Sequence, residues 1–454
     1  MGAYATEPQV APSSPTPALP AEREAHWDPA FLGLLGYLAV EYMRLPAMFP
    51  VLIPFQVGKV VLFIGLIGSL MSPARPSKTR ANRYLDGTLG WFIAGCLMSA
   101  LAASHLDETL NPVFVVVQWG VIYFLLRRTV VNAWRLRWFM AFYLLLNLKL
   151  AQFAIRQYSY LRAMGDTPDI LSVRGVGAGA TGFFGNPGDF GVAMCVAWPF
   201  ALGLLLGETR KTWRFFYLVC FIAFLAAIFL CGSRGALLGA CFVGAAVLAK
   251  NPRRILGIIL VVAVLVAGFY YLPSANKERI QSGFHYRQDA TAEIRLRLWR
   301  AAWRMFTDHP LLGVGLGNFR VEYATQYRQA PDFAWAPHSI YMQALSELGL
   351  AGTVPLVVFW FLISYTNRRT RKLLLAKGVK RNAFEFRLSI ALDLALVGYL
   401  VSGAFLTVLY YPHLWIIGGL TAGLHIHAPY VPAESAAKTG REKLAADKRL
   451  APVW

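Results

Sequence analysis

From Pro29 to Ala428 the chain is a succession of apolar stretches separated by short polar or charged loops. A helix needs about 20 mostly apolar residues to cross a bilayer. Stretches of that kind fall at 29–45, 48–71, 86–104, 112–127, 134–157, 184–206, 212–231, 233–249, 253–272, 346–366, 388–408 and 411–428. Only helices and closed barrels satisfy every backbone polar group inside lipid, and stretches this long and continuous select helices. The expectation is an all-α integral membrane protein with about 12 transmembrane helices. Composition agrees: 57% of residues are hydrophobic and 15% charged, against about 25% charged in soluble domains.

The net charge of +20 does not indicate nucleic acid, because the lysines and arginines lie mainly in the short loops. Arg75 to Arg83, Arg127 to Arg137, Arg210 to Arg214, Lys250 to Arg254 and Arg368 to Arg387 occupy every second loop. Basic loops stay in the cytoplasm. That places 1–28, a tail rich in Pro, Ala, Ser and Glu and expected to be disordered, and the charged tail 432–454 in the cytoplasm. The polytopic domain is 29–431. The tail at the start has no positive segment followed by an apolar one, so a cleavable signal is not expected. The five cysteines all fall in apolar stretches with no CxxC spacing, which supports neither zinc nor a disulfide framework.

One long polar segment breaks the pattern, and the charge alternation places it outside as a periplasmic loop over 273–345. Within it Thr291 to Phe306 reads as a helix. At 100° per residue Arg297, Arg300 and Arg304 share one face. Arg295 lies on the other, with Leu298, Trp299, Ala302 and Phe306. A charge on an apolar face needs a partner: a carboxylate elsewhere, or an anionic ligand. Arg234, in the outer hairpin Cys231-Gly-Ser-Arg-Gly235, poses the same choice between snorkelling at the interface and binding an anion. His338, with Ser339 beside it, opens a helix in the same loop as Arg295, and Glu347 follows nine residues on. A neutral imidazole can take a proton from a hydroxyl. Guanidinium groups hold phosphate oxygens bidentately and stabilise a departing diphosphate. The glycines of Gly313 to Gly317 lack the preceding strand of a dinucleotide loop and read as a tight turn. Walker A, HExxH, GxSxG and DxD motifs are absent, so neither a metal site nor a cofactor is expected.

SRGALLGA at Ser233 to Ala240, RLRLW at Arg295 to Trp299, HPLLGVGLGNF at His309 to Phe319 and HSIYMQALSELGLAG at His338 to Gly352, in this order, resemble the O-antigen ligase and O-antigen polymerase family. GFFGNPGDFG at Gly182 to Gly191 is similar to the segment that precedes these motifs in family members. EYMRLPAMFP at Glu41 to Pro50 is similar to the opening of one bacterial subgroup. The resemblance runs from about Gly182 to Gly352, with Ser339 where the family commonly has asparagine. It implies a glycosyltransferase of the membrane C-type superfamily in the bacterial inner membrane. Such an enzyme takes a glycan from undecaprenyl diphosphate on the periplasmic side, with inversion and without metal. The acceptor is a glycan or glycolipid: lipid A-core for a ligase, another lipid-linked repeat for a polymerase. The family's two arginines fall on Arg234 and Arg295 and its histidine on His338. Glu347 would orient His338 or cap its helix. Tyr411 and His413, in the last outer hairpin, are candidates for the acceptor side, an interfacial aromatic belt being the other reading of Tyr411. A lipid-linked glycan transporter is the competing class. It should show polar residues deep in several broken helices, whereas the deep charges here are few, Lys149 and Asp393 among them. A structural assembly partner without activity would leave Arg295 unexplained.

Overall fold

The computed structural model describes residues 27–71, 79–163, 176–177, 180–181, 184–249, 290–328 and 336–432. Both expected tails, apart from a few residues at their inner ends, lie outside these. So do the expected span 253–272 and the 273–289 and 329–335 parts of the loop. Every element among the described residues is helical. The principal helices are α1 (Pro29–Met43), α2 (Val57–Met71), α3 (Arg80–Leu101), α4 (Leu106–Thr129), α5 (Ala133–Ala163), α6 (Pro187–Gly207), α7 (Lys211–Leu230), α8 (Arg234–Ala249), α9 (Ala290–Asp308), α10 (Ile340–Ala376), α11 (Phe384–Gly403) and α12 (Pro412–His427).

Each expected span on described residues overlaps a helix. Six helices, α3 to α7 and α10, are long and apolar enough to cross a membrane. α1, α2 and α8 are apolar but shorter. The expected span 48–71 is corrected: Pro50–Leu52 is a 3-10 turn and the α-helix starts only at Val57, because Pro46, Pro50 and Pro54 remove backbone donors there. The helix expected to open at His338 begins at Ile340, ahead of the apolar run from 346, and the Ser339 hydroxyl caps it by accepting from Met342 N at 3.4 Å.

Large apolar side chains point outward from the bundle, among them Phe63, Phe215, Leu218 and Phe361, as lipid-facing surfaces require. Inside, close packing relies on small residues: a Cβ on Gly95 of α3 would lie 2.5 Å from the carbonyl oxygen of Ala351 in α10. Among the described residues the basic loops at 127–137, 210–214 and 368–387 gather at one end. There Asp28 pairs with Arg135 at 2.6 Å and Asp86 with Arg127 at 2.6 Å. Arg137 stacks on Phe384 at 4.4 Å. The starts of α6, α8, α10 and α12 and the end of α11 lie at the opposite end, which carries the candidate site.

Candidate functional site

The polar loop is built around a break in α10. Gly349 has φ 56° and ψ −155°, outside the helical range. Its two successors turn their amides away from the helix: Leu350 N donates to Pro310 O at 2.8 Å and Ala351 N to Leu311 O at 2.9 Å. In return Val314 N donates to Ser346 O at 2.8 Å and Gly315 N to Glu347 O at 3.2 Å. The turn from Pro310 to Asn318 therefore supplies the partners that the broken helix lacks. Gly313, at φ 69°, lies against the backbone of Glu347, where a Cβ would come within 2.5 Å of the carbonyl oxygen. The glycine string is a structural latch and not a phosphate loop.

α9 meets the expected wheel for Arg300 and Arg304, while Arg297, expected beside them, is half-buried like Arg295. Leu298, Ala301, Ala302 and Met305 are fully buried, Arg300 and Arg304 are exposed, and Arg297 pairs with Glu293 at 3.1 Å. Arg295 is half-buried. Trp299, one turn on, donates its indole N–H to Pro337 O at 2.9 Å. This bond ties α9 to the residue before His338.

His338 itself has φ 49°, a conformation that side chains seldom adopt and that histidine tolerates better than most. Its backbone N–H donates to Thr407 Oγ1 at 2.9 Å. Burial, and then the nearby Arg295 guanidinium, lower the imidazole pKa from 6.5 to about 4, so the ring is neutral at physiological pH.

The turn between α11 and α12, residues 404–411, joins the parts. Phe405 packs on Trp299 of α9, ring centroids 6.4 Å apart. A Cβ on Gly235, next to Arg234, would lie 3.2 Å from Phe405 Cβ. Leu406 sits against Gly188 at the start of α6. Thr407 holds His338, Tyr410 donates to Glu347 Oε2 at 2.5 Å, and Tyr411 donates to Asp189 Oδ2 at 2.8 Å. Burial, and then the neighbouring carboxylate in each case, push the pKa of both phenols up. Both therefore remain donors.

Arg234, Arg295 and His338 are thus brought to one end of the bundle around a single turn. Arg234 opens α8 two residues after Gly232, which has φ 63°, and the start of α8 rests on α6, where a Cβ on Gly191 would lie 2.6 Å from Ala236 Cβ. Glu347 holds a different place from the one expected. It is buried, engaged by Tyr410 and, at 3.4 Å, by the Gln343 side chain. Ser339, not Glu347, caps α10. Tyr411 reaches the Asp189 carboxylate instead of lying along an aromatic belt. His413 is fully buried within 6.3 to 6.4 Å of the Phe184, Tyr399 and Tyr411 rings, and neither of its ring nitrogens has a hydrogen-bond partner among the described residues.

Sequence reasoning passed over Thr407, Tyr410 and Asp189. Asp189 sits in the quoted string GFFGNPGDFG, and its position in the first turn of an apolar helix, after the capping Asn186, was the available signal. Asp393, named above among the deep charges, pairs with Arg371 at 2.7 Å near the basic end. Among the described residues no group of three His, Cys, Asp or Glu side chains is placed to hold a metal ion.

Residues 196–357 match the family described as O-antigen ligase. This segment belongs to the O-antigen ligase family. The family comprises membrane glycosyltransferase-type enzymes, ligases and polymerases, that act on lipid-linked glycans and their acceptors. The matched stretch contains Arg234, Arg295, His338 and Glu347, while Asp189, Tyr411 and His413 fall outside it. No curated protein matches the chain.

Proposed function

We propose that the protein transfers a glycan from undecaprenyl diphosphate to an acceptor hydroxyl on the periplasmic side, as an O-antigen ligase does. The observation that carries this reading is the placement of His338 beside Arg295, with the Arg234 hairpin packed on the same 404–411 turn. The acceptor oxygen attacks the anomeric carbon and the bond to the diphosphate oxygen breaks. His338 takes the hydroxyl proton. Arg295 and Arg234 hold the diphosphate and balance the charge that collects on it as it leaves. A single displacement of this kind inverts the anomeric centre, and the guanidinium groups supply the charge stabilisation that a metal gives elsewhere.

The depressed pKa of His338 has a role in this scheme. An imidazole titrating near 4 is a weak base. An anionic diphosphate seated on Arg295 offsets the guanidinium field and raises the imidazole's basicity. The base thereby strengthens only when the donor is in place, which disfavours hydroxyl activation in an empty site.

The test is transfer by the purified full chain in nanodiscs from a synthetic undecaprenyl-diphosphate glycan, offered lipid A-core or further donor as acceptor. Arg234→Ala, Arg295→Ala and His338→Asn should each lose about 100-fold or more, the range for removed acid–base or charge-stabilising groups. Asparagine at 338 tolerates the positive φ, so the loss reports chemistry rather than backbone strain. Wild-type-like activity in all three variants sinks the assignment. Consumption of donor as acceptor, with lipid A-core ignored, replaces ligase with polymerase.

A further inference from the structure

At the end of the bundle opposite the candidate site, the ends of α5, α6, α7 and α11 line an open cavity of about 520 Å³. Four cations line it, Arg137, Arg210, Lys380 and Arg387, with two carboxylates, Glu208 and Glu385. Both carboxylates also make contacts of their own. Glu208 Oε1 accepts from the backbone amides of Thr209 at 2.8 Å and Arg210 at 3.0 Å. Glu385 Oε1 faces His427 Nε2 at 3.9 Å. Four cations against two carboxylates leave the lining net cationic.

Two of the cations are held in place. Arg137 lies over the Phe384 ring at 4.4 Å. Arg387 is half-buried, and a Cβ on Gly207 would lie 3.0 Å from its Cγ, so the end of α6 closes on its stem. The Arg387 Nε is buried and has no hydrogen-bond partner among the described residues. Two helices start at this wall, α7 and α11, and neither N-cap residue caps its helix through its side chain. Their first-turn amides add partial positive charge.

The excess of cations over carboxylates around one cavity favours a further anion among them. Guanidinium groups match phosphate oxygens in planar pairs. The volume falls in the range of about 300 to 1,000 Å³ typical of small-molecule sites. The cavity lies at the ends of membrane helices on the side that gathers the basic loops, where anionic headgroups are recognised. We propose that this cavity binds a phosphate-bearing anion, either the headgroup of an anionic phospholipid or free phosphate. Bound there, the anion ties α6, α7 and α11 together. The same three helices carry Asp189, the Arg234 hairpin and the 404–411 turn at their far ends. The 21 residues of α6 put about 30 Å between the two sites. The proposal does not depend on the transferase reading.

Thermal unfolding of the full chain in a mild neutral detergent tests it. Dihexanoyl phosphatidylglycerol, dihexanoyl phosphatidylcholine, sodium phosphate and, at matched ionic strength, sodium chloride are titrated separately. A ligand of the folded state raises the midpoint with its concentration. The expected result is a rise with phosphatidylglycerol or phosphate and none with phosphatidylcholine or chloride. Arg387→Gln should need about tenfold more ligand for the same rise, the loss of one charge-assisted contact. The double variant Arg210→Gln/Lys380→Gln, confined to exposed rim side chains, should do the same without disturbing the fold. A rise with phosphatidylglycerol alone assigns a lipid headgroup, and an equal rise with phosphate assigns the free anion. No rise with either, a rise as large with phosphatidylcholine or chloride, or a wild-type response in both variants overturns the proposal.

Discussion

Replacing Gly349 with alanine attacks the latch on which the polar loop depends. The backbone there has φ 56° and ψ −155°, a region that only glycine occupies readily, at a cost of about 1–3 kcal/mol for any other residue. The new methyl would also lie 2.6 Å from Gly313 N and from the carbonyl oxygen of Leu311. These are backbone atoms, so relief requires the Pro310 to Asn318 turn to move. Movement weakens the amide bonds from Leu350 and Ala351, at 2.8 and 2.9 Å, each contributing about 1 kcal/mol net. The expected loss is about 3–5 kcal/mol, a large share of the ~5–15 kcal/mol that holds a typical fold. Gly378 is the internal control. It also has positive φ, 74°, but a Cβ there meets nothing within 4 Å. Gly378→Ala should therefore cost only about 1 kcal/mol of backbone strain. Equilibrium unfolding of both variants in detergent, with glycan transfer measured alongside, distinguishes the two. If Gly349→Ala proves no less stable than Gly378→Ala, the interlock of turn and broken helix is wrong.

With His338 titrating near pH 4 in the empty site, kcat/KM should stay flat from pH 7 to 5 and fall only as pH drops through about 4. The acid limb of kcat, which reports the donor complex, should lie at higher pH because the diphosphate offsets Arg295; coincident limbs would contradict that coupling. Thr407→Val removes the acceptor for the His338 amide and should lower kcat by about tenfold, with Thr407→Ser restoring it; a silent Val variant would show that the bond is dispensable. Tyr411→Phe leaves the buried Asp189 carboxylate short of one donor and should cost about 1–3 kcal/mol of stability by thermal unfolding; an unchanged midpoint would mean the contact contributes little.

Hydropathy alone located the helices because lipid offers a backbone no alternative partner. Hydropathy misled at 48–56, where prolines interrupt an otherwise apolar stretch, whereas the helix opening at His338 and Ser339 was legible ahead of the apolar run. The wheel placed Arg295 apart from Arg300 and Arg304, since a helix face depends only on nearby spacing. What stayed hidden depends on residues distant in the chain. Thr407 is 69 positions from His338, and Tyr411 is 222 from Asp189. No local pattern encodes those meetings. The fate of Glu347 was hidden for the same reason, since its neighbours come from the Pro310 turn and from Tyr410.

The 404–411 turn has a practical consequence for anyone who wishes to change the acceptor or to insert a reporter. It behaves as a jig, touching five other segments through Phe405, Leu406, Thr407, Tyr410 and Tyr411. An insertion there would misalign every clamped part at once. Recoding is better begun on the exposed row of α9, at Arg300 and Arg304, where side chains can be exchanged without resetting the frame. The open turn at Gly378, at the far end, is the natural place for a tag.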